Sequence, residues 1–288
     1  MTIEEQQEYL EYWKIPLLET YIEKLEEGFA AEVAKNCIEN NFINVLIRSY
    51  PHCILVLKEV LCLVANGFPD GALARARRIY ENMIIAQYLN LHKHDSDFDK
   101  IIERYFDDQN IRAYDGRKKY YDAIKDRQNA DAYNKKMNAI IKKYASPQEF
   151  KVKKRKILTN NYWWVNNSPM SFATLSKCFE VDEVKVFYLR ACYSIHAGAL
   201  GDVALLGRPL SAELQLHTGR TYNGAAMALL LAVSSFGYLT EIMFENFAVD
   251  PPVHGNCFLD LLNIYFNNSA EENKAFMKMK KNDSVMRK

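Results

Sequence analysis

Apolar residues recur along this chain at spacings of three, four and seven, and that period predicts α-helices rather than strands. The clearest helix is expected from Gly71 to Leu91, after the turn 67–70, with Asp70 as its N-cap. A second informative helix is expected at 181–197. Further helices are predicted at 17–36, from Pro51 to a stop at Gly67, at 223–247 and at 256–266. Together these segments indicate an all-α, irregular multi-helix bundle.

Composition agrees with a helical fold and bounds the domain organisation. The 288 residues include 11 glycines and 8 prolines, no Gly-rich phosphate loop, and 49% hydrophobic residues, enough for a sizeable core. We expect a single helical domain over 1–288. Within it, the long charged segment 97–160 predicts a protruding basic helical hairpin insertion, and the polar residues 268–288 predict a flexible tail.

The net charge of +1 conceals a concentrated basic segment, since 111–156 contains 15 lysines and arginines against five acidic residues. Cations mixed with stackable rings are typical of surfaces that bind single-stranded RNA or DNA. The candidate nucleic-acid-binding residues are Lys151, Lys153, Lys154, Arg155, Lys156, Trp163 and Trp164. The alternative is a solvated hairpin with lysines on its outer faces and aromatic residues in its seam.

Neither a metal nor an organic cofactor is expected. The run from His92 to Asp99 crowds histidines and aspartates together, but nothing else in the sequence supports a metal site. We interpret the run as a polar turn in which Ser96 or Asp97 caps the next helix.

The cysteines and the most apolar helix bear on localisation. Six scattered cysteines, mostly in apolar helical text, indicate reduced core thiols in a cytoplasmic protein. The uncharged stretch 221–240 is nearly long enough to span a bilayer. Ser234, Ser235 and the lack of a charged flanking pattern favour a buried core helix instead, so no membrane partner is expected.

Charged residues on apolar helices indicate a polar site inside the bundle. Arg77 and Glu81 lie four residues apart in helix 71–91. They must be paired or face a polar cavity, because a buried charge without its partner costs about 3–5 kcal/mol. Helix 181–197 carries Arg190, Ser194 and His196, which could line the same pocket. These five residues are the candidate catalytic residues.

The run from Arg190 to His196 resembles the Arg…His motif of the HEPN ribonucleases, which are all-helical and usually dimeric. The resemblance implies RNA cleavage without a metal, with His196 as general acid–base and an arginine on the phosphate. Ala191 stands where the commonest form of that motif has a polar residue. Six residues turn a helix by about 600°, so Arg190 and His196 of one chain would not share a face, and a symmetry mate would complete the site.

A broader resemblance spans roughly 46–245, and its best-matching residues are Arg77, Glu81, Ser194 and His196. It also includes Gly67, Gly71, Trp163, Trp164 and the run from Tyr188 to Ala197. The chain resembles a bacterial helical family known as domain of unknown function 5677. Such families are similar to phage-defence and toxin modules, which implies a protein partner from a defence operon.

Two functions are consistent with these patterns. The first is an HEPN-like, metal-independent endoribonuclease or toxin-type effector of a bacterial defence system, which acts as a homodimer and holds RNA on 111–156. The alternative is a non-catalytic helical module that binds nucleic acid, a nucleotide or a protein. In that case the buried arginine, glutamate and histidine are structural groups satisfied by one another and by the backbone.

Overall fold

The computed structural model describes residues 3–35, 41–144, 172–177, 182–195, 224–247, 260–268 and 270–271. The helices with assigned bounds are α1 (Ile3–Tyr12), α2 (Ile15–Lys35), α3 (Asn41–Ala65), α4 (Pro69–His92), α5 (Phe98–Ala123), α6 (Arg127–Tyr144), α7 (Phe172–Lys177), α8 (Asp182–Ile195) and α9 (Ala225–Phe247). Residues 260–268 are helical as well, and no strand occurs in the described ranges. The fold is an all-α multi-helix bundle, as the apolar period predicts.

Two compact units make up the chain. Unit 1 comprises Met1–Asn90 and Phe179–Lys288, and unit 2 comprises Leu91–Cys178. Unit 1 thus contains α1 to α3, nearly all of α4, and α8 and α9. Unit 2 contains α5, α6 and α7.

Helix α9 is the core helix of unit 1 and packs on α3 and α8. Tyr50 of α3 stacks on Phe236 of α9, with ring centroids 5.2 Å apart. The Tyr50 hydroxyl lies 3.1 Å from Thr240 Oγ1 and donates to it, because the Thr240 hydroxyl already donates to the Phe236 carbonyl. Helix α9 is long and apolar enough to cross a membrane, but 72% of its most apolar window is buried inside the protein. Ser234 and Ser235 are buried with it, as expected for a core helix.

Helix α3 runs through Pro51, so the prediction that a helix begins there is wrong. Proline lacks the amide that would bond back to residue 47, and inside a helix it costs about 3 kcal/mol. Pro51 itself is exposed, while Leu46, Tyr50 and Ile54 continue a buried stripe past it. Burial of such side chains stabilises by roughly 1.5–3 kcal/mol each, which outweighs the lost hydrogen bond.

The stop between α3 and α4 is the one expected at Gly67. Its φ of 76° lies in the left-handed region, and the amides of Gly67 and Phe68 donate back into the last turn of α3 at 3.0 and 2.8 Å. Helix α4 then begins at Pro69, so Asp70 lies within the first turn and is not the N-cap that the sequence predicts. The Asp70 carboxylate still interacts favourably with the positive end of the helix dipole.

Helices α5 and α6 of unit 2 pack against each other as a hairpin. Tyr133, Met137 and Ile140 form a buried cluster between them, with Tyr121 packed against it. The chain turns at Lys125, whose φ of 58° is left-handed. The helices predicted within 97–160 are therefore present over Phe98–Tyr144. Residues 145–160 and most of 268–288 lie outside the described residues.

Lys143 joins the two helices of the hairpin by charge. Its Nζ lies 2.7 Å from Glu103 Oε1 and 3.2 Å from Asp107 Oδ2. The hydrogen bonds to Glu103 and then to Asp107 raise the pKa of Lys143. Asp107 is only 9% exposed, so this lysine compensates a nearly buried carboxylate.

Candidate functional site

Arg77 and Glu81 form an ion pair on the part of α4 that belongs to unit 1. Arg77 Nε donates to Glu81 Oε1 at 2.7 Å, and the two side chains are 24% and 21% exposed. The spacing of four residues places both on one face of the helix, as the sequence predicts. Glu81 Oε2 lies 3.8 Å from Arg78 Nη1, on a side chain that is 53% exposed. Arg77 is therefore the closer and more buried of the two partners of Glu81.

Tyr188 of α8 completes what we call the Arg77 group (Arg77, Glu81 and Tyr188). Its ring stacks on Tyr80 of α4, with centroids 4.4 Å apart and 26° between the planes. Arg77 Cζ lies 5.7 Å from the centroid of the Tyr188 ring, within the range of a cation–π contact. The Tyr188 hydroxyl donates a long hydrogen bond of 3.5 Å to Glu81 Oε1. The same ring thus contacts the cation and its carboxylate.

Burial and neighbouring charges together set the protonation states of Tyr188 and Arg77. Burial raises the pKa of Tyr188 well above its usual range, with Cys192 and Glu81 adding to the rise and Arg77 opposing it. For Arg77, burial is the largest influence and acts to lower the pKa, but the Glu81 carboxylate, Cys192 and Tyr188 together outweigh it and the pKa is raised. The phenol therefore stays a neutral donor and the guanidinium stays charged.

Two further residues of α8 lie on different faces. Cys192 follows Tyr188 by four residues, shares its face and hydrogen-bonds with it. Arg190 follows Tyr188 by two residues, which is about 200° around the helix. The Nε atom of Arg190 is buried, and in the described ranges no hydrogen-bond partner contacts it. A buried donor left unpaired costs about 1–3 kcal/mol, so this N–H is a candidate contact for an anion.

Other polar contacts of α4 fasten it to α3. Arg75 pairs with Glu59, and these side chains are 43% and 41% exposed. Asn82 is buried, donates to the Arg78 carbonyl at 3.0 Å and hydrogen-bonds the Cys53 thiol. Burial raises the pKa of the Cys53 thiol to about 12, with the side chain of Asn82 and the charge of Arg78 opposing the rise. These contacts stabilise the packing of α4 on α3.

The remaining candidate residues are only partly within the described structure. Ser194 lies in α8, four residues after Arg190, and its side chain is outside the described set. His196 follows the last residue of α8 in sequence and also lies outside it. The structure therefore brings Arg77 and Glu81 together and directs Arg190 to another face. Also outside the described residues are Lys151, Lys153, Lys154, Arg155, Lys156, Trp163 and Trp164.

The histidine–aspartate run after α4 forms a local contact. His92 Nδ1 lies 2.6 Å from Asp95 Oδ2, and Asp97 is the residue that precedes α5, although its side chain makes no capping hydrogen bond. In the part of the chain that the structure describes, no three histidine, cysteine, aspartate or glutamate residues are placed to hold a metal ion.

Tyr188 is the site residue that sequence reasoning misses. Its ring meets Glu81 across 107 positions of the chain, and no local period encodes such a contact. The available signal is its place at the start of the run Tyr188–Ala197 that carries the family resemblance.

The Arg77 group is suited to hold an anion. Its guanidinium is fixed through Nε by Glu81 and lies over an aromatic ring, while about a quarter of the side chain is exposed. A fixed planar cation of this kind suits a phosphate. Glu81 is committed to Arg77 and Tyr188 stays protonated, so proton transfer at this site requires another residue with a pKa near neutrality.

A family model described as "Family of unknown function (DUF5677)" matches residues 43–206, more than half of the chain. The matched span contains α4 to α8 and therefore every residue of the Arg77 group. No curated protein and no solved structure matches the chain.

Proposed function

We propose that this chain, which belongs to the family of unknown function DUF5677, is a metal-independent endoribonuclease that works as a homodimer. The observation that carries the proposal is the Arg77 group, a guanidinium held by a carboxylate and an aromatic ring and still 24% exposed. Such a cation suits an RNA phosphate, because it is permanently charged and its orientation is set before the ligand arrives.

The reaction divides into phosphate stabilisation and proton transfer. The RNA 2′-hydroxyl attacks the adjacent phosphorus and the bond to the 5′-oxygen breaks, which leaves a 2′,3′-cyclic phosphate and a 5′-hydroxyl. Arg77 stabilises the added negative charge on the phosphorus oxygens, and Glu81 is a positioning residue that orients Arg77. We assign the proton of the 2′-hydroxyl or of the leaving oxygen to His196, because imidazole titrates near neutral pH. Ser194 is assigned a hydrogen bond to the RNA.

Arg190 supports the dimeric form of the proposal. It lies about 200° around α8 from Tyr188, so it does not face the phosphate that Arg77 would hold in the same chain. Its buried Nε has no partner among the described residues, and an RNA phosphate at a site shared with a second protomer would supply one. The resemblance of the Arg190–His196 run to the HEPN motif favours the same arrangement.

The setting of the activity belongs to the proposal as well. We place the enzyme in the cytoplasm as a toxin-type effector of bacterial defence, controlled by a protein partner from the same operon. The support here is the resemblance to defence and toxin modules. The basic run 151–156, together with Trp163 and Trp164, is assigned to RNA contact through charge and stacking.

Cleavage of RNA in EDTA tests the catalytic assignment. Purified protein should cut single-stranded RNA and leave 2′,3′-cyclic phosphate ends, and His196→Ala should abolish the activity. Arg77→Ala should lower kcat at least a hundredfold, whereas the matched change Arg75→Ala, at the exposed pair with Glu59, should lower it less than twofold. Equal losses at the two arginines would contradict a role of Arg77 on the phosphate.

A mixing experiment tests the shared site. Arg190→Ala and His196→Ala proteins are each expected to be inactive. A dimer of one of each has one intact pair, with Arg190 from one protomer and His196 from the other. Mixing the two variants should therefore restore part of the activity, and no restoration after confirmed subunit exchange would contradict a site built by two chains.

A non-catalytic binding module is the second candidate. The observation in its favour is that Glu81 and Tyr188 of the protein itself contact Arg77, as in a structural ion pair. It predicts that wild-type protein leaves RNA intact and that His196→Ala lowers the melting temperature by several degrees.

A further inference from the structure

The α5–α6 hairpin of unit 2 exposes cations that its own fold does not neutralise. In the described part of this hairpin, eight exposed lysine and arginine side chains have no ion-pair partner. They are Lys100, Arg117, Lys119, Lys125, Arg127, Lys135, Lys136 and Lys142. A surface with this excess of positive charge attracts polyanions.

Most of the described acidic side chains beside these cations are engaged elsewhere, whereas Asp131, four residues before Lys135, is exposed. Asp122 pairs with Lys118 at 2.9 Å. Asp126 caps α6, because its carboxylate accepts from the Asn129 amide at 3.1 Å and from the Asn129 side chain at 2.6 Å. Those hydrogen bonds lower the pKa of Asp126. The carboxylates that hold Lys143 are engaged likewise.

Helix α6 has two chemically distinct faces. Its inner face carries the buried cluster of the hairpin, and Asp131 is the single acidic residue of the helix. On the outer face Lys135 and Lys142 are exposed, and between them Ala139 is small and exposed too. Seven residues separate the two lysines, a rise of about 10.5 Å along one stripe. A backbone of phosphates can approach such a stripe closely, because no bulky side chain stands between the cations.

An exposed ring accompanies the cations. Tyr120, near the end of α5, is 60% exposed, whereas its neighbour Tyr121 packs against the hairpin cluster. Bases stack on such rings with about 1–3 kcal/mol for each base. Besides Tyr120, Ile124 is the only large hydrophobic residue of the described hairpin that is exposed, at 50%, so little apolar surface is available for insertion into lipid.

We propose that the α6 cation face (Lys135, Lys136 and Lys142) binds the phosphate backbone of single-stranded RNA and holds the substrate of the endoribonuclease proposed above, on which this inference rests. Binding is electrostatic, so it depends steeply on salt and little on base sequence. Lys118 and Lys143 take no part in binding, because each already forms an ion pair. Lys118 pairs with Asp122, and Lys143 pairs with Glu103 and Asp107.

Two charge-matched variants of the full chain test this assignment. Lys135→Gln with Lys142→Gln removes two cations of the α6 cation face, and Lys118→Gln with Lys143→Gln removes two paired ones. Affinity is measured by fluorescence anisotropy with a labelled 2′-O-methyl oligonucleotide, which has no 2′-hydroxyl to attack. At 0.15 M salt the first variant should bind about tenfold more weakly, and its salt slope should fall by about 1.4, since each phosphate contact contributes about 0.7. The second variant should stay within twofold of wild type.

Each outcome decides the proposal. Equal losses in the two variants would mean that net charge alone matters, and no loss in the first would place the RNA elsewhere; either result overturns it. Binding to vesicles of anionic lipid without binding to RNA overturns it in favour of a membrane surface.

The cleavage assay separates this inference from the proposed function. If the first variant raises KM for RNA and leaves kcat unchanged, both stand. If it cleaves RNA with wild-type KM, the enzyme stands and the α6 cation face does not. If wild type binds RNA through this face and cleaves nothing, the face stands and the endoribonuclease does not.

Discussion

A double-mutant cycle at Arg77 and Glu81 measures how much this ion pair of α4 contributes to the stability of the protein. The variants are Arg77→Met, Glu81→Ala and their combination. Methionine retains an aliphatic stem and removes the charged guanidinium, so the cycle reports mainly on the charge interaction.

The expected size follows from the exposure of the two side chains. At 24% and 21% exposure the pair lies between two limits. Breaking a fully buried pair costs about 3–5 kcal/mol, and an exposed pair contributes about 0–1 kcal/mol. We therefore expect Glu81→Ala to lower the free energy of unfolding by about 2–3 kcal/mol, with a coupling energy of about 1–2 kcal/mol. Arg78, 3.8 Å from Glu81 and half-exposed, is too distant and too solvated to replace Arg77.

Arg75 and Glu59 supply the control, since the same helix carries both arginines. Their side chains are 43% and 41% exposed, so Arg75→Met and Glu59→Ala should show a coupling below about 0.5 kcal/mol. Unfolding in urea is followed by far-UV circular dichroism at pH 7, in 0.15 M and in 1 M sodium chloride. Salt should remove the coupling of Arg75 and leave most of that of Arg77, because buried charges are screened less. Equal couplings, or loss of the Arg77 coupling in 1 M salt, would refute the reasoning.

Four further predictions concern residues outside the Arg77 group. N-ethylmaleimide at pH 8 should label the exposed Cys62 and leave buried Cys53 unmodified until the protein unfolds, as read by peptide mass spectrometry. Burial raises the pKa of Cys53 from its ordinary value of 9.0 to about 12. Its neutral thiol therefore contributes stability that is complete below pH 9 and is lost as pH rises toward 12. Urea unfolding across that window should show a fall in the free energy of unfolding that Cys53→Ala lacks. Lys125→Gly should raise the free energy of unfolding by up to about 1 kcal/mol, because a left-handed residue with a side chain is strained, and a lower urea midpoint would contradict this. Lys143→Ala should lower it by about 1–2 kcal/mol, and adding Asp107→Asn should recover part of the loss, since the amide needs no cation.

The helices could be predicted from sequence because their burial follows a local period. The expected helix at Gly71–Leu91 is observed as Pro69–His92, and the stretch expected at 181–197 is described as helix over Asp182–Ile195. The boundary at Gly67 was also predictable, since a left-handed C-terminal residue favours glycine. The rule that a proline begins or ends a helix failed at Pro51. That rule considers the one lost hydrogen bond and ignores the buried stripe of side chains that continues past Pro51.

The candidate site could be predicted only where it is local. The Arg77–Glu81 pair follows from a spacing of four residues on one helix. Tyr188 does not, because its place on Arg77 depends on how α8 packs against α4, and packing between distant segments leaves no period in either. The sequence places Arg77 and Arg190 in two apolar helices, but this does not imply that they share a pocket. Tyr188 and Arg190 lie about 200° apart around α8, so the face that contacts Arg77 is not the face that carries Arg190.

Ala191 of α8 bears on the proposed likeness to the HEPN motif. Ala191, where that motif has a polar residue, is fully buried, and a polar side chain there would lose its water and need a new partner. Position 191 is therefore used for packing and cannot assist Arg190 with a polar group. Within the proposed mechanism, Arg77 of α4 takes the place of a polar side chain at position 191. Arg77 is already held by Glu81 and by Tyr188, and Tyr188 lies three residues before Ala191. Placing a polar residue at 191 should then destabilise unit 1 without replacing Arg77, so Arg77→Ala combined with Ala191→Asn should cleave RNA no faster than Arg77→Ala alone.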